Sequence, residues 1–141
     1  MNYLDSNLVI YAMLDEADIG EWARELLERV QKKEMPACTS FLTFDEVFYK
    51  VNKIKGSGVA IKNIEAFLTM PNMKFIDVND AVIWKALELI RGYHLLPRDA
   101  IHAATAFIAG AQTIFSEDKD FDIIQGLKRK WRGMNKQIPF T

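Results

Sequence analysis

One cysteine, Cys38, and two histidines are all the thiol and imidazole present in 141 residues. A lone cysteine closes no internal disulfide, and the usual Cys/His zinc site needs more ligands than this. Such thiol usage suits a reducing cytoplasm. An excess of either charge is missing too: 18 Lys and Arg stand against 19 Asp and Glu, a formal net charge of -1. The chain is therefore no polycation that grips nucleic acid by bulk electrostatics, and any nucleic-acid site must be local. Long hydrophobic runs are absent as well. The most apolar stretch, Ala100 to Ala111, contains His102, Thr105 and Gly110 and falls short of the roughly 20 residues that span a bilayer. Met1-Asn2-Tyr3-Leu4-Asp5 puts a carboxylate where a secretory signal needs a basic segment and then an apolar one. A soluble protein with no membrane partner is expected.

What is there is 50% apolar and 26% charged, the profile of one compact domain over residues 1–141. Tyr3-Leu4 reads as a short strand, after which Ser6 or Asn7 can cap a helix carrying Leu8, Ile10, Tyr11 and Leu14. From Glu21 to Lys33, Trp22, Ala23, Leu26, Leu27 and Val30 recur at helical spacing between charges. Pro36-Ala37-Cys38-Thr39 and a helical Thr43–Lys53 suggest a second β-then-α unit. Lys55-Gly56-Ser57-Gly58 is a loop before a helix that stops short of Pro71. Lys74–Val78 reads as a strand, Asn79 or Asp80 caps a helix to about Tyr93, and Pro97 starts another to Ala109. Thr113-Ile114-Phe115 reads as a fourth strand. Strands alternating with helices predict an α/β fold whose parallel sheet is covered on both faces and binds ligands beyond its carboxyl edge.

Four acids fall at strand ends or helix starts: Asp5, Glu46, Asp99 and Asp118. Each alone has a plain structural explanation. Asp5 suits an N-cap, Glu46 stands three residues after Thr43 at capping-box spacing, Asp99 sits in a first turn favoured by the helix dipole, and Asp118 belongs to a polar turn. Together they would repel and raise one another's pKa unless a cation neutralised them. Oxygen-only ligation suits Mg²⁺ or Mn²⁺, and a phosphodiester is the natural substrate class for such ions.

Tyr3-Leu4-Asp5-Ser6-Asn7, Ser40 with Glu46 six residues on, Arg98-Asp99-Ala100-Ile101-His102-Ala103-Ala104-Thr105-Ala106, and Ile114-Phe115-Ser116-Glu117-Asp118-Lys119-Asp120-Phe121 occur here in that order. In these segments the chain resembles PIN-domain ribonucleases, VapC-like toxins above all, nearly end to end. The resemblance implies a three-layer α/β/α domain, Mg²⁺- or Mn²⁺-dependent endoribonuclease activity on RNA, frequent homodimers, and inhibition by a small antitoxin protein. It makes Asp5 and Asp99 the main catalytic and metal carboxylates, Glu46 the third and Asp118 the fourth, with Asp120 an alternative fourth. Ser6 and Asn7 resemble the polar pair supporting the first Asp, and Ser116 borders the site.

Beyond Phe121 the pattern departs from the family, and the five basic and no acidic residues of 123–141, with Trp131 among them, suggest either RNA guidance by phosphate contact and stacking or a solvated basic end. His102, on an Ala-rich helix, reads as a packed, hydrogen-bonded residue rather than a ligand, and His94 has less support still. Tyr11, Met13, Trp22, Leu26 and Leu27 suggest core, with any exposed remainder forming a groove for an antitoxin helix or a dimer face. Two other readings stay open: a non-catalytic RNA- or protein-binding module, and a phosphorelay or phosphatase-type domain with Asp5 as phosphoryl acceptor.

Overall fold

The computed structural model describes residues 1–134. Five short strands, β1 (Asn2–Leu4), β2 (Ala37–Ser40), β3 (Met73–Ile76), β4 (Thr113–Phe115) and β5 (Lys128–Lys130), form one sheet of order β3-β2-β1-β4-β5. Every neighbouring pair is parallel. The helices are α1 (Ser6–Leu14), α2 (Asp18–Gln31), α3 (Leu42–Lys55), α4 (Ser57–Leu68), α5 (Asp80–Tyr93) and α6 (Pro97–Ile108), with a 3-10 turn over Lys119–Ile123.

Strand periodicity divides the core in two. Tyr3, Cys38 and Ile114 are aligned neighbours and pack with Val82, Ala86, Leu89, Ala100 and Ala103 of α5 and α6. Leu4, Ala37 and Phe115 point the other way, onto Leu8, Trp22, Leu26, Val47 and Phe67 of α1 to α4. A parallel sheet buried on both faces between helices is the three-layer α/β/α arrangement. The chain builds outward from β1 to β3, then returns to the other side of β1 to lay down β4 and β5. That reversal opens a crevice between the ends of β1 and β4, where open α/β sheets bind ligands.

Several boundaries differ from the sequence reading for local reasons. The N-cap of α1 is Asp5, as the structural reading of that acid expected, in place of Ser6 or Asn7; its side chain accepts from the Ser6 amide. The loop at residues 55–58 shrinks to Gly56, whose φ of 88° lets the chain turn from α3 straight into α4. Strand β5 has no counterpart in the sequence reading, because a Lys-Arg-Lys run lacks the alternation of a half-buried strand. Arg129 supplies the reason it forms: its guanidinium clasps both oxygens of Asp122 at 2.7 and 3.0 Å and donates to the Ser116 carbonyl at 3.1 Å.

This revises the basic end. Trp131 is 9% exposed and meets Trp22 edge-on at 5.0 Å, so it is core and not a stacking platform for bases. Arg129 is committed internally and Arg132 lies 3.9 Å from Asp18, while Lys136 is outside the described residues. Trp22, Leu26 and Leu27 are likewise buried, leaving Tyr11 and Met13 half-buried. Among the described residues no helix is long and apolar enough to cross a membrane.

Arg129→Met is expected to destabilise the fold by about 2 kcal/mol, since it removes charge-assisted hydrogen bonds from a buried position. Urea unfolding followed by tryptophan fluorescence measures this, and a loss below a few tenths of that value would show that β5 docks without the clasp.

Candidate functional site

Asp5 leaves β1 at the crevice and is 5% exposed. Its Oδ1 accepts the Ser6 amide at 2.8 Å, and its Oδ2 accepts the Ser116 hydroxyl at 2.6 Å and Asn7 Nδ2 at 3.3 Å. Ser116 follows β4, so this contact ties the two strands across the reversal. Its Oγ accepts from Asn7 Nδ2 at 3.2 Å and from the Asp118 amide at 3.0 Å, which turns the following loop toward Asp5. Asn7 closes the ring by accepting the Glu117 amide at 3.3 Å.

Asp99 arrives from the first turn of α6, which Pro97 initiates. Asp118 caps the 3-10 turn, accepting the Asp120 amide at 2.9 Å. One carboxylate oxygen from each of Asp99, Asp118 and Asp120 lies within 4.8 Å of the other two. Sequence reasoning left Asp118 and Asp120 as alternatives; the fold brings both to Asp99. Among the described residues no Lys or Arg forms an ion pair with any of the three.

Glu46 behaves differently from its capping-box reading. The first turn of α3 is served by Ser40 Oγ, which accepts the Leu42 amide at 3.0 Å, while Thr43 Oγ1 bonds Thr39 Oγ1 at 2.7 Å. Thr43 is thus no N-cap, and Glu46 is free to hydrogen-bond His102 Nε2. It stands outside the three-aspartate group, as does Asp5. His102 is 1% exposed and hydrogen-bonded at both nitrogens, the second to the Tyr3 hydroxyl. The polar role of Tyr3 escapes sequence reasoning, which places it only in a short strand, because its partner lies 99 residues away.

Crowding shows in the acid–base behaviour. Asp99 is pushed up to about 6, first by burial and then by the charges of Asp118 and Asp5, with His102 opposing. Burial also raises Asp5, against the pull of His102 and the hydrogen bonds from Ser116 and Ser6. For His102, burial works to lower the pKa, but Asp5, Glu46 and Asp99 outweigh it and leave the imidazole raised. A half-buried carboxylate held near 6 by burial and by neighbouring like charges belongs to a cluster short of positive charge. Its all-oxygen chemistry fits a hard divalent cation.

Because folding raises the Asp99 pKa above its ordinary 3.8, the metal-free native state binds that proton more tightly than the unfolded chain. Native stability therefore falls as pH rises from about 4 to about 6. Asp99→Asn should raise the melting temperature of metal-free protein at about pH 7.5, with the gain vanishing near pH 4. Calorimetry at the two pH values checks this; a large loss at both would make Asp99 a structural cap.

Comparison with known proteins accords with this geometry. The sequence profile of the PIN domain matches residues 3–127. The chain is similar to Ribonuclease VapC2 of Methanocaldococcus jannaschii, 26% identical over 138 residues that cover 89% of this chain and 90% of that one. In fold it matches VapBC2 from Rickettsia felis bound to a DNA fragment from their promoter, with TM-score 0.72 and 22% identity over 93% of this chain and 98% of that one. It also matches Mycobacterium tuberculosis VapC20, a sarcin-ricin loop cleaving toxin, with TM-score 0.69 and 18% identity over 86% and 93% of the two chains. With the profile spanning every strand but the last and every acid of the crevice, the chain belongs to the PIN domain family.

Proposed function

We propose that this protein is a divalent-metal-dependent endoribonuclease, the toxin of a toxin-antitoxin pair. The observation that carries the reading is the meeting of Asp99, Asp118 and Asp120 beside buried Asp5, without an ion-paired Lys or Arg among the described residues. The names of the relatives, a VapC ribonuclease and VapBC complexes, point the same way.

Asp99, Asp118 and Asp120 would hold Mg²⁺ or Mn²⁺, with Asp5 adding negative charge that acts on Asp99. When bound, such an ion supplies Lewis acidity toward a phosphate and eases deprotonation of water. Ser116 and Asn7 fix the Asp5 carboxylate, and the Ser116 hydroxyl also fixes the turn that carries Asp118. No exposed histidine pair serves the 2′-hydroxyl route: His102 is buried and committed, and His94 is the exposed C-cap of α5. Water is therefore the nucleophile. Its oxygen bonds to phosphorus, the P–O3′ bond breaks, and the departing O3′ takes a proton, leaving 5′-phosphate and 3′-hydroxyl ends.

Both Asp5 oxygens are already hydrogen-bonded, which argues against its use as a phosphoryl acceptor. For the antitoxin, a hollow of about 490 Å³ between α1, α2 and α4, lined by Met13, Leu27, Phe67 and Met70, suits an apolar helix. For a homodimer, exposed Ile83, Trp84 and Leu87 of α5 offer apolar area for a second copy to cover.

RNA cleavage titrated with Mg²⁺ and Mn²⁺ tests the reading. Chelator should abolish cutting, and Asp99→Asn and Asp5→Asn should each lower it by about 100-fold or more while the fold stays intact. Equal activity in parent and both variants removes these residues from the chemistry. A single 2′-deoxy substitution at the cut site should leave cleavage in place; its loss would overturn attack by water.

A further inference from the structure

Glu46, like Asp5, stands outside the aspartate trio, and its side chain is held by a histidine. His102 Nε2 holds its Oε1. The other ring nitrogen, Nδ1, bonds the Tyr3 hydroxyl, whose oxygen accepts the Ser40 backbone N–H at 3.2 Å. Tyr3 and His102 also meet edge to face, ring centroids 5.7 Å apart. A carboxylate only accepts hydrogen bonds, so Nε2 must carry its hydrogen toward Glu46. The same nitrogen stands 3.6 Å from Asp5 Oδ1. One N–H thus sits between Asp5 and Glu46.

The parts of this relay differ in freedom. Tyr3 and Ser40 belong to neighbouring central strands and are fully buried, and His102 is locked by packing. The Glu46 side chain is 21% exposed, and a glutamate with that access to water samples several rotamers unless something holds it. The imidazole is the only group among the described residues found hydrogen-bonded to it.

We propose that His102 is a positioning residue, whose Nε2–H pins Glu46 next to Asp5 while Tyr3 and the Ser40 amide fix the imidazole. Its consequence for catalysis rests on the nuclease reading above; the pinning itself does not. His102 touches no substrate and works only through Glu46.

A double-mutant cycle in the RNA cleavage assay at saturating Mn²⁺ separates this from a merely structural histidine. His102→Leu should lower kcat about 10- to 100-fold with KM for RNA unchanged, the usual range for a partner that orients a site group. His102→Gln, which returns an N–H near the Nε2 position, should recover most of that loss. Combined with Glu46→Gln, His102→Leu should cost nothing further, because the group it acts through is already altered. Multiplying losses in the double variant, or no recovery with Gln, would overturn the proposal. Long-range proton–nitrogen NMR of the metal-free wild type gives a readout independent of activity and of whether His102→Leu folds. It should show the hydrogen on Nε2 and a shift of that resonance in Glu46→Gln; a hydrogen on Nδ1 alone, or an unmoved resonance, overturns the pinning. Absence of cleavage by the wild type with this spectrum intact would sink the nuclease reading and leave the pinning standing.

Discussion

Mutual repulsion of carboxylates is the force against which the rest of this molecule is arranged. Asp99 feels the charges of Asp118, Asp5 and Asp120, and burial, which removes screening water, raises both Asp99 and Asp5. Left to local preference, Asp5 and Asp99 would turn to solvent. What prevents this is that each is anchored by a different element: Asp5 by the end of β1, Asp99 by a proline-started helix, Asp118 and Asp120 by a capped turn after β4. The two apolar layers hold those elements together, so core packing sustains an electrostatically unfavourable cluster. Sites that a fold strains to assemble are commonly functional ones.

Hydroxyls and amides do the fine alignment. Ser116 makes contact with Asp5, Asn7 and the Asp118 amide through one oxygen, while its carbonyl is held by Arg129 from β5. The last strand, far from the crevice by chemistry, therefore braces the residue at its centre. On the other side of β1, Tyr3 and His102 carry polar contacts through an otherwise apolar layer to Glu46. Among the described residues no buried side-chain nitrogen or oxygen lacks a partner, as a low-dielectric interior requires.

Much of this was legible in the residues. Helical spacing located α2 and α3, Pro97 marked the start of α6, and the alternation of short strands with helices gave the parallel sheet. The acids stood out because strand ends and first helical turns of such a sheet share an edge. Their grouping into the Asp99 trio, with Asp5 and Glu46 outside it, was not legible, since side-chain partners are fixed by tertiary contacts such as Asp5 with Ser116 and Glu46 with His102, 111 and 56 positions apart. β5 was hidden because its stability comes from Arg129 meeting Asp122 and from Trp131 meeting Trp22, neither of which leaves a periodic trace. The Thr43 capping box misled for the opposite reason: the spacing was right, but Thr39 and Ser40 offered the local groups better partners.

The bond between Asp5 and Ser116 joins residues 111 positions apart, and this has a bearing on how the protein is made. A chain still emerging from a ribosome exposes Asp5 long before Ser116, Asp118 and Asp120 have been added. No early fragment can hold the cluster, whatever local structure it gains. The crevice comes into being only once Ser116 and the turn that carries Asp118 and Asp120 have been synthesised, so the carboxylates meet late and only through long-range folding.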